Sequence, residues 1–504
     1  MCGFVMASKQ EPKFPLRLLV DKEKNQVVVA ESKSDLIDIL FSFLTLPLGT
    51  IIRLLSKNQH HNIHDYDDQP QEENIGCINN LYKSVENLSD GVFWNNTCKE
   101  MLLCPRNSCE SVCKNLKLNL DDTKPKKYFM CGRCCRGSDL FLSTFDGASC
   151  SCGKLMDKEM KLHGDFSEEG HNNEDGVFVK KGTLYLIFND LKVLQNSPGN
   201  SVQQLIQLGY KNFNKLTQIS LNVGLNEILH LLKQSLISKS PLTDVFLANG
   251  EFKRMYTFSP KQGPKIENWT NIKLKVMVRK SKKKILYAEA EGDFIDFLFS
   301  FLTTPIGSIL KQLNGNFSIG SIDNLHKSVK EFNPSWFISP LGNPLPNPKV
   351  ASQFGCMKQP LKNLCEEYNH TYWYGKGVVK NHICYSNVNG VISKDKSLIK
   401  NPIAMKVFDP RSPFGKIEYA LGFVKRPSLF VVWDDLHVTP FANTSSISFL
   451  HKMNVPLDDL EEHIVSIGEI EALNLLGASL TSSKDVLTEG LFHHLKKSKE
   501  EATT

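Results

Sequence analysis

The sequence predicts an α+β protein: an internally duplicated, two-lobe chain, each lobe a mixed sheet with packed helices, with a zinc-ribbon-like insertion in the first copy. Three observations predict it. Residues 35–55, DLIDILFSFLTLPLGTIIRLL, return at 293–313 as DFIDFLFSFLTTPIGSILKQL, with Phe-Ser-Phe-Leu-Thr identical at 41–45 and 299–303. Strand-like and helix-like segments then follow one another in the same order in both halves. Two close cysteine pairs occur in the first half only. The chain has 504 residues, 41% hydrophobic and 23% charged, which suits two globular domains of ordinary composition.

Each half opens on a hairpin pattern. Apolar runs at 16–20 and 27–31 flank the charged residues 21–25, and runs at 274–278 and 285–289 flank Arg279-Lys280-Ser281-Lys282-Lys283-Lys284. That basic run resembles a nuclear-localisation or nucleic-acid patch. Its place matches a hairpin turn in the first half, which favours a solvated turn. The repeated block comes next. Ser34 or Asp35 suits a helix N-cap, and Leu36, Leu40 and Phe43 share a face beside that of Ile37, Phe41 and Leu44. Proline is excluded from a helix interior but fits a first turn. The expectation is a helix over 35–46, a kink at Pro47 and a shorter helix over 48–56, repeated around Pro305. A membrane span needs about 20 unbroken apolar residues. Asp35, Asp38, Pro47 and Arg53 interrupt this one, so a buried core pair is expected.

Residues 56–74 are polar and acidic, and the second half has only a short counterpart at 314–319; a flexible surface loop is expected. His60, His61, His64 and Asp65 in it are the metal-binding alternative. GCINNLYKSV (76–85) matches GSIDNLHKSV (320–329), an amphipathic helix whose recurring Lys83-Ser84 and Lys327-Ser328 read as a cap or surface pair. Trp94 and Trp336 follow, each in a loop. Cys98, Cys104, Cys109 and Cys113 are unevenly spaced and receive no joint role.

The sharper cluster lies in residues 128–156. Cys131-x-x-Cys134 and Cys150-x-Cys152-Gly153 flank a strand-like run at 140–145. Two short cysteine pairs joined by a hairpin are the plan of a zinc ribbon: tight turns present two sulfurs each to a tetrahedral ion. The candidate metal ligands are therefore Cys131, Cys134, Cys150 and Cys152, with Cys135 a spare beside them. The second pair is one residue shorter than a ribbon usually has. Buried or surface thiols are one alternative. Thioredoxin-like redox chemistry is another, although that motif opens a helix and Gly137-Ser138 follow too closely. The second half lacks the cluster: Cys384 stands alone, Cys356 and Cys365 lack ligand spacing, and Gly375-Lys376-Gly377 is too short for a phosphate loop.

The halves converge again at 178–193 and 423–438. Residues 184–188 and 429–433 are unbroken apolar runs, expected as strands buried on both faces. Asn189-Asp190 and Asp434-Asp435 end them; a turn or cap is expected, with a cation or base role as the alternative. Closing helices at 227–236 and 471–480 mirror each other. The domain expectation is a first copy at 14–250, a linker at 251–271, a second copy at 272–492 and a disordered tail at 493–504, charged from Lys496.

The hairpin run at 16–20, the DLIDILFSFLTLPLGTI block, GCINNLYKSV, the CGRC…CSCG cluster and GVFVKKGTLYLIFNDLKV together resemble the plant-specific domain-of-unknown-function 674 family. The resemblance covers most of both halves. It implies a plant protein of unestablished activity, often built of repeated copies, and it supplies no catalytic residues. The missing cysteine pairs are the second half's main departure.

The net charge of +6, from 60 basic and 54 acidic residues, is too balanced to imply nucleic acid. The first fourteen residues lack a secretory pattern, and fourteen cysteines then read as thiols or metal ligands in a reducing, intracellular compartment, cytoplasmic and/or nuclear. No Walker loop, His-Glu-x-x-His or nucleophile elbow is present. The leading expectation is a non-enzymatic binding or scaffold protein with protein partners, a structural zinc and no membrane span. One alternative is a nucleic-acid-binding protein using the cysteine region and Lys124-Pro125-Lys126-Lys127. The other is an enzyme with an inter-lobe site drawing on Asp435, His437 and Cys384.

Overall fold

The structure, a computed structural model, describes residues 11–61, 75–133, 140–150, 152–163, 176–247, 256–261, 272–313, 317–339, 343–367, 371–379, 382–383, 390–413, 415–416, 421–442, 448, 450–452 and 454–501. Strand β1 (Phe14–Asp21) alternates inward Phe14, Leu16 and Leu18 with outward Pro15 and Arg17, and β2 (Gln26–Lys33) returns beside it. The Asp21 carboxylate accepts the Glu23 and Lys24 amides in the turn between them. Helix α1 (Ser34–Ser42) runs into a 3-10 turn (Phe43–Thr45), and α2 (Leu48–His61) follows. Then come α3 (Ile78–Asn87), α4 (Asn96–Leu103), α5 (Glu110–Cys113), β3 (Tyr128–Met130), β4 (Leu140–Ser143) and β5 (Lys158–Met160). The first half closes with β6 (Leu184–Phe188), β7 (Val193–Gln195), α6 (Pro198–Gln207), β8 (Leu216–Val223), α7 (Leu225–Ile237) and α8 (Pro241–Phe246).

After β9 (Tyr256–Phe258) the pattern restarts: β10 (Ile272–Arg279), β11 (Lys284–Glu291), α9 (Gly292–Thr303), α10 (Ile306–Leu313), β12 (Phe317–Ile319) and α11 (Ile322–Glu331). Next are β13 (Tyr372–Val379), β14 (His382–Ile383), β15 (Val391–Ser393), β16 (Ile399–Val407), β17 (Leu429–Trp433), β18 (Val438–Pro440) and β19 (Leu460–Ile467), then helices Glu469–Thr481 and Val486–Glu501.

The strands build two five-stranded antiparallel sheets of the same design, β7-β6-β2-β1-β8 and β18-β17-β11-β10-β19. A seven-stranded sheet draws on both halves, because β4 runs parallel to β16, and β9 pairs with β12 in a two-stranded ribbon. One hydrophobic core spans both halves and includes Phe41, Leu44, Phe299 and Leu302, all fully buried. Among the described residues, no helix is long and apolar enough to cross a membrane.

The halves meet by reciprocal contacts. Pro47 and Pro305 form an antiparallel bridge, in which Leu48 N donates to Thr304 O (3.1 Å) and Ile306 N to Leu46 O (3.0 Å). Cys77 N donates to Ser479 O, and its counterpart Ser321 N donates to Ser235 O. Gly76 and Gly320, at φ 53° and 50°, bring these segments so near that a Cβ would lie about 2.5 Å from the opposing backbone carbonyls. Helix α3 packs on β18 of the second half and α11 on β7 of the first. Phe93 bridges Val424, and Phe337 bridges Val179, in the same sense. Each half therefore lends its connecting helix and the tryptophan segment after it to the sheet of the other.

Several local expectations change. The helix expected over 35–46 ends at Ser42, tightens to 3-10 and then opens: Leu46 and Thr304 are extended and the prolines sit in the bridge, because proline disfavours helix at the residue before it. Neither Ser34 nor Asp35 caps α1. Lys33 holds the cap position, and Asp35 binds Lys117. Helix α2 continues past residue 56 to His61; His64 and Asp65 lie outside the described residues. The last helix runs through Lys496, where a disordered tail is expected, because Leu487, Leu491 and Leu495 anchor it at four-residue spacing in the core. Ser84 and Ser328 are not surface residues: their hydroxyls are buried and accept Val438 N and Val193 N from the opposite half, at 2.9 Å each.

Candidate metal centre

Strand β3 alternates its side chains, so Phe129 and Cys131 fall on one face two residues apart. β3 pairs with β4 on one side and β5 on the other. Past β4 the chain folds into a tight turn: Met156 N donates to Ala148 O, Cys150 N to Lys154 O and Gly153 N to Cys150 O, each at 2.8 Å. Gly153 has φ 79°, a left-handed conformation that glycine adopts without cost, and it lets the chain reverse directly after Cys152. The turn returns its sulfurs to the end of β3.

The Sγ atoms of Cys131, Cys150 and Cys152 consequently lie within 4.8 Å of one another, with Cys131 and Cys152 3.6 Å apart. Thiolates sharing one tetrahedral zinc at about 2.3 Å would be separated by about 3.8 Å. Cys131 and Cys150 are buried against Phe129, Phe141, Met156 and Phe408, and Cys152 is half-exposed at the edge. These three thiols could hold a metal ion. Cys134 and Cys135 lie outside the described residues. Phe408, beyond the end of β16, comes from the second half; nothing in its sequence neighbourhood announces a place beside a first-half cysteine cluster. The centre is also not an isolated ribbon, since β3, β4 and β5 are strands of the seven-stranded sheet. Cys131 directly follows a strand, and the described residues 132–133 after it form a turn.

The other candidates have structural partners. Cys98, Cys109 and Cys113 are buried; burial pushes the Cys98 and Cys109 thiols up to about 12 and raises Cys113 further. Asp434 caps the final helix, its carboxylate accepting Thr488 N and Oγ1 at 2.8 Å, and its counterpart Asn189 accepts the same pair of groups from Thr243. Asp435 accepts His437 Nδ1 at 3.1 Å at the surface, which holds its carboxyl below the usual range against the opposing effect of burial; Cys384 lies outside the described residues.

Part of each basic run is paired within the chain, while Lys124, Lys280, Lys282 and Lys283 are exposed. Arg279 pairs with Asp459 at 2.9 Å, Lys284 pairs with Asp485, and Lys127 pairs with Glu159 at 3.1 Å. Burial pushes the Lys126 ammonium down to about 8.

A family model described as a protein of unknown function (DUF674) matches residues 10–470. No curated protein and no solved structure matches the chain.

Proposed function

The chain belongs to the DUF674 family of proteins of unknown function, and from that premise we propose that it is a non-enzymatic binding or scaffold protein carrying a structural zinc. One observation carries the reading: the Cys131, Cys150 and Cys152 sulfurs share a sphere of 4.8 Å at the junction of two turns. Cys134 completes the set as fourth ligand. Four protein ligands leave no open position for water, so the ion organises residues 128–156 and activates nothing.

The two copies, 14–250 and 272–492, are joined by the linker 251–271 and derive from a duplicated unit. The identical strand orders of the two five-stranded sheets support this. Protein partners are the expected ligands, intracellular in the cytoplasm or nucleus. Val202 and Ile206, neighbours on one face of α6, expose apolar side chains of the kind partners cover.

Metal analysis of the purified full chain tests the zinc. About one ion per chain is expected, lost in Cys131→Ser and Cys150→Ser variants. A chelator should then raise amide exchange in residues 128–156 and leave the shared core protected. Protein free of stoichiometric metal, or exchange in 128–156 that ignores the chelator, would overturn the assignment.

A further inference from the structure

The outer face of the first five-stranded sheet, opposite the shared core, holds a cavity of about 250 Å³. Leu19, Val29 and Phe188 line it on the sheet, and Leu205 of α6 lies across it. The second five-stranded sheet supplies an internal comparison, because its strands pair in the same register. Val29 stands opposite Phe188 where β2 meets β6, and Tyr287 stands opposite Trp433 where β11 meets β17. Leu19 and Met277 both sit at the bulge of the first strand. In the second half the Tyr287 and Trp433 rings are 5.6 Å apart and pack with Val431 and Val455. Valine for tyrosine removes a whole phenol ring at this position, and phenylalanine for tryptophan removes part of another. The first half is open where the second is filled.

We infer that this cavity binds a small neutral phenol, whose ring takes the place in the first half that the Tyr287 ring holds in the second. The size fits: about 250 Å³ lies just below the usual ~300–1,000 Å³ of small-molecule sites and suits one ring with a short substituent. The charge fits as well. Arg17 and Glu31 at the edge pair at 3.2 Å, and the second Glu31 oxygen accepts Asn196 Nδ2 at 2.7 Å, so the two edge charges cancel and favour neither an anion nor a cation. The exposed Gln218 amide offers both a donor and an acceptor to a hydroxyl. This site is independent of the cysteine cluster.

The test uses 4-fluorophenol and 4-fluorobenzoate as probes and ¹⁹F line broadening on the full chain as readout. Broadening of 4-fluorophenol at high micromolar to millimolar concentration is expected, with 4-fluorobenzoate weaker. A V29Y/F188W variant carries the second-half pair and should weaken the phenol at least about tenfold. L205W closes the site from the helix and should do the same; each variant is first checked for a native melting transition. In the unaltered protein, saturating 4-fluorophenol should slow amide exchange in residues 17–19, 29–31 and 198–210, which locates the site even if both variants misfold. No broadening at millimolar probe, undiminished binding in a folded variant, protection confined to other segments, or tighter binding of 4-fluorobenzoate would each overturn the inference.

Discussion

Asp38 and its counterpart Asp296 are buried inside the most apolar helices of the chain. Each ties a distant strand approach to its helix: Asp38 accepts the amides of Val177, Phe178 and Val179 at 2.9 Å, and Asp296 accepts those of Phe423 and Val424 and pairs with Arg426. Burial outweighs the three amides and pushes the Asp38 carboxyl from 3.8 up to about 6. The folded chain therefore keeps this proton to higher pH than the unfolded chain does. The stability it contributes is full below about pH 4 and is lost as pH rises through about 6. Carboxyl-carbon NMR should show Asp38 titrating near 6, and Asp38→Asn should flatten the pH dependence of the unfolding midpoint between 4 and 6. A titration near the ordinary 3.8 would refute it. The neighbouring aromatic residues carry the packing. Phe41 and Phe299 are fully buried, and truncating either to alanine should cost about 3–5 kcal/mol in denaturant unfolding. A loss below about 1 kcal/mol would mean that the site collapses freely or faces a partner.

At the scale of elements, the reciprocal helices α3 and α11 hold the halves together. Asn80 Nδ2 donates to Asp435 O and Asn324 Nδ2 to Asp190 O, while Ser84 and Ser328 accept amides across the same junctions. Ser84→Ala or Ser328→Ala leaves a buried amide unpaired, and each should cost about 1–3 kcal/mol. Alanine at the exposed Glu86 position should cost almost nothing by comparison. Equal effects of the serine and glutamate substitutions would show that the junction hydroxyls are not structural. The closing helices share a second device: Glu227 accepts Gly224 N at 2.8 Å and Glu471 accepts Gly468 N at 2.9 Å, the glutamate half of a capping box.

At the scale of the whole molecule, the exchange of segments makes each half incomplete alone. A fragment ending at residue 250 would expose the α3 face that belongs on β18 and would leave β7 without α11. Residues 14–250 and 272–492 expressed separately should each bind hydrophobic dyes and lack a cooperative melt. Their co-expression should restore one transition. A cooperative melt of either fragment alone would mean that its core closes without the other half.

The sequence by itself determined the local elements. The hairpins, the repeated helices, the apolar strands and the closing helices follow from periodicity, and period-2 and period-3.6 patterns are properties of neighbours along the chain. It also grouped Cys131, Cys134, Cys150 and Cys152 as one candidate set; Cys131, Cys150 and Cys152 lie within 4.8 Å of one another, and Cys134 lies outside the described residues. Only the tertiary structure decided which half each connecting helix serves. The two halves carry nearly the same junction residues, so Ser84 could bond the sheet of its own half or of the other with equal local chemistry. The Pro47–Pro305 bridge likewise joins positions 258 residues apart, a contact no single position records. The same holds for Phe408 beside the cysteines and for the cavity over Val29: both depend on residues far apart in sequence, and packing alone brings them into contact.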